Sequence, residues 1–157
     1  MKNVILIFSL LIILVSCGQT TELSSTSKLG GVYNLKLNEG EDRGGMVYVY
    51  PETDSTILFF MDLNAGAPSY NSGQIDGRIE INTGTGVFND ADFPDCKFKF
   101  SFIEDKLTVE TVEDKYDCPF GNRVRADGEF KRESSVTPEY YEIGGEKVYF
   151  KDFKRNN

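Results

Sequence analysis

Cys96-Lys97-Phe98-Lys99-Phe100-Ser101-Phe102 decides the fold class. At 180° per residue Cys96, Phe98, Phe100 and Phe102 line one face, and Lys97, Lys99 and Ser101 line the other. At a helical 100° the four apolar groups would scatter around the axis. The stretch reads as a half-buried antiparallel strand with its lysines in water.

The same period continues on both sides. Leu107 and Val109 share one parity, as do Val124, Ala126 and Phe130; upstream, so do Ile75, Ile79 and Ile81, and Tyr33, Leu35 and Leu37. Met46 to Tyr50 and Ile57 to Leu63 are apolar or aromatic on both parities, so both of their faces are expected to be covered. Turn chemistry separates the runs: Asn38-Glu39-Gly40, Gly44-Gly45, Pro51 to Asp54, Asn64-Ala65-Gly66, Asn82-Thr83-Gly84, Glu104-Asp105 and Asp127-Gly128. No segment past residue 20 sustains a 3.6-residue apolar period. The expected fold is all-β, a small antiparallel barrel or barrel-like meander of about eight short strands. Closure of the meander removes exposed strand edges.

A hairpin is expected after this meander. Gly144-Gly145 separates Pro138 to Ile143 from Glu146 to Phe150, and a two-residue turn sets Ile143 opposite Glu146, Glu142 opposite Lys147 and Tyr141 opposite Val148. One face then carries Tyr141, Ile143, Val148 and Phe150, and the other carries the Glu142–Lys147 pair with Tyr140 and Tyr149. Since a lone hairpin is marginal in water, the apolar face is expected to dock on the preceding sheet.

Composition excludes several functions. Seventeen Lys and Arg against 25 Asp and Glu give a net charge of −8, which lacks the basic footprint that nucleic acid requires. There is no histidine, which removes the Ser-His-Asp triad, the Cys-His dyad and histidine-ligated zinc. G-x-S-x-G is absent, and nothing fixes the separation of a glycosidase-like carboxylate pair. The chain reads as non-enzymatic, with no catalytic residue, cofactor or metal implied.

The N-terminus carries an address. Lys2 precedes an apolar run from Val4 to Val15 interrupted only by Ser9. Twelve helical residues span roughly 18 Å, short of the roughly 30 Å hydrocarbon core, so the run fits a signal-peptide segment better than a membrane span. Leu14-Val15-Ser16-Cys17 resembles the bacterial lipobox. That resemblance implies cleavage between Ser16 and Cys17, and acylation of Cys17 as the first mature residue. Two or three acyl chains suffice for stable anchoring where one is marginal. The organisation expected is a lipoprotein signal peptide at 1–16, a lipidated cysteine with a polar, flexible tether at 17–29, a stapled β domain at 30–133 and a hairpin extension at 134–157. The protein is expected on the cell envelope, anchored in a membrane, most simply the outer membrane, and facing the periplasm or the surface. Removing the first sixteen residues takes away one lysine and no acid, which leaves a net charge of −9.

With Cys17 acylated, Cys96 and Cys118 remain as one pair in an oxidising compartment, and a disulfide is the favoured reading. A redox or metal thiolate pair is the poorer one, because there is no C-x-x-C and no histidine partner. Glu39, Glu41 and Asp42 crowd one loop, and Asp90, Asp92 and Asp95 another. The second gives D-x-D without the glycine and later glutamate of a calcium loop, so solvated charge is the expectation for both.

Gly66-Ala67-Pro68-Ser69-Tyr70-Asn71-Ser72-Gly73 has no apolar periodicity and holds a tyrosine that is costly merely to expose. One reading is a recognition loop presenting Ser69, Tyr70 and Asn71. The favoured one is a wide connection whose tyrosine plugs a barrel end.

Gly66 to Asn71 with Gly73, then Cys96, Cys118, Phe120, Gly121, Val124, Asp127, Gly128, Phe130 and Lys131 carry a resemblance covering Gly31 to Lys131. The pattern is similar to small uncharacterised envelope lipoproteins of Bacteroidetes-type bacteria. More distantly it is similar to lipid-anchored lysozyme inhibitors, also small stapled barrels, whose S-G-A-x-Y loop is faintly echoed by Gly66 to Tyr70. Together these readings point to a binding or inhibitor module for a protein partner. A cationic partner such as a lysozyme is one option, since the acidic charge would steer it. The alternatives are a structural or assembly component of the envelope, and a lipocalin-like carrier of a small ligand, suggested by Gly31-Val32-Tyr33 and the many aromatics.

Overall fold

The computed structural model describes residues 25–112 and 118–154. The apolar run, Ser16 and Cys17 lie outside the described residues, as do 18–24 of the tether. Ten strands and two short 3₁₀ turns make up the elements among the described residues. The strands are β1 (Gly31–Leu35), β2 (Gly44–Pro51), β3 (Thr56–Asn64), β4 (Ser72–Glu80), β5 (Thr85–Asn89), β6 (Lys97–Ile103), β7 (Lys106–Thr111), β8 (Gly128–Ser134), β9 (Tyr140–Ile143) and β10 (Glu146–Tyr149). The first eight form one antiparallel sheet in the order β4-β3-β2-β1-β8-β7-β6-β5, nearly closed as a barrel. The all-β reading holds.

Period-two burial builds the interior. Phe98, Phe100 and Phe102 of β6 point inward, with Lys97, Lys99 and Ser101 outward. Phe59 lies against Phe88 and Phe100 with ring centroids 5.0 and 4.9 Å away, and Phe130, Leu107 and Val109 are fully buried beside them. The interior is filled by side chains.

β4 and β5 end the sheet and share no ladder; a bridge between Asn82 and Thr85 joins them only at their common turn. Glycines let the seam close. A Cβ on Gly77 would collide with the Phe88 ring, and one on Gly73 would lie 2.5 Å from Cδ1 of Phe120. Aromatic rings therefore fill the seam where backbone bonds do not.

One pole gathers the chain entry and the turns after β2, β4 and β6. Thr26–Leu29 is a 3₁₀ turn with Thr26 and Leu29 buried, and Thr26 Oγ1 donates to the Thr53 carbonyl. Ordered contacts are thus present from Thr26 onward, within the 17–29 stretch expected as a flexible tether. One apolar residue, Leu29, and a satisfied hydroxyl tie the segment down. Behind it the Tyr33 hydroxyl donates to Leu29 O at 2.8 Å and accepts from Arg132 Nε and Nη2 at 3.0 and 2.6 Å. Burial pushes the Tyr33 hydroxyl pKa up against the opposing pull of Arg132.

The hairpin has the expected register: Ile143 faces Glu146, Glu142 faces Lys147 and Tyr141 faces Val148. It docks on the outer face of the barrel, where Tyr141 and Phe150 pack with Leu58 and Phe60, flanked by Tyr48 and Tyr50. This is why β3 is apolar on both parities. Two details differ from expectation. Ile143, next to the turn, is 41% exposed and lies outside the packed cluster, and Phe150 belongs to a 3₁₀ turn (Phe150–Asp152) rather than to β10. Gly44-Gly45, expected as a turn, opens β2 and pairs with Asn64 and Leu63. A Cβ on Gly45 would lie 2.7 Å from Cδ2 of Leu63, so these glycines serve close approach rather than chain reversal. Val124 and Ala126 are buried as their parity implies, but they precede β8.

Candidate recognition surface

The pole opposite the chain entry is built from the connections after β1, β3, β5 and β7. Cys96 and Cys118 are disulfide-bonded there, with Cα atoms 4.7 Å apart. The bridge fastens the start of β6 to the long connection that leads into β8. Phe120 follows the second cysteine and stacks on Phe98 at 6.1 Å, with planes 7° apart.

Phe120, not Tyr70, closes this end of the barrel. Tyr70 is 70% exposed, which corrects the expectation that it plugs the interior. A period-free loop gives no parity, and parity was the only signal that could have oriented this ring. The loop itself is tightly held. Ala65 N–H donates to Asn71 O and Tyr70 N–H to Gly66 O, both at 2.8 Å. Asp42 Oδ2 accepts from Ala67 N–H at 2.7 Å, and Asn64 Oδ1 accepts from Gly66 N–H at 3.2 Å and from Gly44 N–H at 3.0 Å. Gly66, at φ +67°, lies against Asp42 so closely that a Cβ could not enter.

The three residues of the expected recognition loop therefore part ways. Asn71 is structural: its Nδ2 donates to Asn122 O at 2.9 Å, and the neighbouring Ser72 O accepts from Gly121 N–H at 3.0 Å. Ser69 and Tyr70 face solvent. Tyr70 has φ +49°, a conformation that costs a bulky residue of order 1–3 kcal/mol and persists only where the surroundings enforce it. The result is an aromatic side chain held outward on a fixed backbone.

The acidic clusters have local work. Asp90 is nearly fully buried, and its Oδ1 accepts from the backbone of Asp92 at 2.8 Å and of Phe93 at 3.2 Å. That corrects the expectation of solvated charge at this residue: the carboxylate organises the turn before the disulfide. Glu41 accepts from Asn38 N–H at 3.0 Å, which leads the causes holding its carboxyl below the usual range. Asp42, expected as loop charge, braces the Tyr70 loop. Asp127, singled out as a turn residue and in the resemblance, accepts from Thr111 N–H at 2.7 Å and Thr111 Oγ1 at 2.8 Å and so launches β8.

No protein family, curated protein or solved structure matches the chain.

Proposed function

We propose that the protein is a non-enzymatic, lipid-anchored envelope module that recognises a protein partner through the Tyr70 pole. The observation that carries this reading is a 70% exposed tyrosine on a backbone fixed by Asp42, Gly66 and Asn71. A rigid aromatic side chain delivers contact area at little entropy cost, and such residues dominate binding energy at interfaces. A packed interior supports surface recognition over carriage of a ligand in a lumen.

The topology sets the orientation that an anchor at Cys17 would impose. The described chain begins at the other pole, and eight residue steps from Cys17 to Ser25 reach at most about 28 Å. An anchor at Cys17 holds the entry pole near the bilayer and turns Tyr70 away from it. The net charge of −9 in the cleaved form favours encounter with a basic partner, of which a lysozyme is one.

Intact mass and cell fractionation test the anchor. A mature chain starting at acylated Cys17, with loss of membrane retention in Cys17→Ala, is expected. An unlipidated wild type with retention unchanged in Cys17→Ala contradicts it. Cell-wall lysis by several lysozymes, with and without the full-length protein, tests that partner class; no inhibition at micromolar concentration removes it.

A further inference from the structure

The hairpin ladder fixes which backbone groups of β9 point outward. Ile143 and Glu146 flank the two-residue turn, and Phe150 N–H donates to Glu139 O at 3.0 Å. Residues 139, 141 and 143 therefore turn their N–H and C=O groups toward β10, and 140 and 142 turn theirs the other way. The small sheet ends at β9, and no described residue takes the backbone groups of Tyr140 or Glu142. An unpaired edge of this kind is a template for another strand.

That edge does not open on bulk solvent alone. It walls a groove of about 510 Å³ whose other side is Tyr48, Phe60 and Asp62 on the outer face of β2 and β3. Asp62 and Glu142 line it, and neither makes an ion pair with a described residue. The Tyr48 hydroxyl pKa is raised by burial first and then by these two carboxylates, which places both charges close to one ring. The groove combines an aromatic floor, two carboxylates and a row of free backbone donors and acceptors.

We propose that the β9 edge and this groove bind an extended, lysine- or arginine-bearing segment of a protein partner. The segment adds as a third strand beside β9 and sets its cations against Asp62 and Glu142. Strand addition draws affinity from main-chain bonds and specificity from alternate side chains, and alternation is what would reach the two carboxylates. A second copy of this chain is a poor occupant, because its own β9 edge, Tyr140–Ile143, carries a carboxylate and no cation to set against Asp62 and Glu142. The inference deepens the protein-binding reading and rests on it, but it uses a surface other than the Tyr70 pole.

The test is titration of the full-length protein, in zwitterionic detergent, with the peptide Lys-Thr-Lys-Thr-Lys-Thr. Calorimetry and amide exchange supply the readouts. Saturable binding is expected, with slowed exchange at Tyr140 and Glu142. Binding should weaken at least tenfold in the Asp62→Asn, Glu142→Gln double variant, and at least tenfold for a peptide N-methylated at alternate residues. Both substitutions are at the surface, and unchanged thermal melts confirm that the variant folds. Tyr70→Ala should leave peptide binding unchanged, so failure here and failure at the Tyr70 pole are separable. Four results overturn the proposal: no binding in the millimolar range, equal binding of Glu-Thr-Glu-Thr-Glu-Thr, indifference to either the double variant or N-methylation, and a concentration-dependent dimer protecting the same amides.

Discussion

Tyr141 stacks on Phe60 with ring centroids 4.2 Å apart and planes 12° apart, and its hydroxyl donates to Asp76 Oδ2 at 2.6 Å. This one side chain joins the hairpin to β3 by packing and to β4 by a hydrogen bond. Tyr141→Ala should cost about 3–5 kcal/mol, as for removal of a buried aromatic ring. Tyr141→Phe should cost about 1–3 kcal/mol, because it leaves the packing and removes a hydrogen bond to a charged group. Denaturant midpoints check the order, and equal midpoints for the two variants would mean that the ring contact contributes little.

Phe100 and Lys99 are neighbours on β6 with opposite fates. Phe100 is fully buried against Phe59, whereas Lys99 makes a surface pair with Glu110 at 3.4 Å. Phe100→Ala should cost about 3–5 kcal/mol and Lys99→Ala less than about 1 kcal/mol. Urea unfolding of both variants is the measurement.

The Cys96–Cys118 bridge closes a loop of sequence separation 22. Replacing both cysteines by serine should cost about 2–5 kcal/mol, the usual loss for a native disulfide in a small domain. Thiol titration of the denatured, unreduced protein should find neither of these cysteines free.

Acid should weaken the contact between β4 and the turn after β2. Arg78 Nε and Nη2 each donate to Glu52 at 2.6 Å, and this hydrogen bonding, first among the causes, holds the Glu52 carboxyl below its ordinary range. A depressed folded-state pKa gives stability that is present above the unfolded value, near pH 4.5, and is lost as pH falls through the folded one. Arg78→Gln should therefore lower stability at pH 7 and flatten its decline below about pH 4.5. Melting temperatures from pH 7 to pH 2.5 read this directly. A parallel offset at every pH would contradict it.

Period-two burial made most of the barrel legible in the sequence, because Phe98, Phe100 and Phe102 share one face, with Lys97 and Lys99 on the other, in a strand and not in a helix. The double-sided apolar run of β3 likewise announced a cover, and Gly144-Gly145 fixed the register of the hairpin that supplies it. What escaped was everything set by contacts between segments far apart in the chain. Nothing local to Tyr70 shows that Phe120, fifty residues later, is the ring that packs against the core at this end. Nothing local to Asp42 shows that it braces Ala67, and Thr26 and Leu29 look like tether until Thr53 and Tyr33 are placed beside them. The pole loops carry hydrogen bonds rather than apolar periodicity, and hydrogen bonds leave no period in a sequence.

The central claim is that the Tyr70 pole meets a protein partner. It is tested most directly by a photo-crosslinking residue placed at Ser69 in cells that make the protein, beside the same residue at Val87. Val87 is 54% exposed on β5 and serves as a surface control. A discrete adduct from position 69, absent from position 87 and lost when Tyr70→Ala is added, is the expected result. Adducts common to both positions, or an adduct at 69 that survives Tyr70→Ala, would contradict the claim.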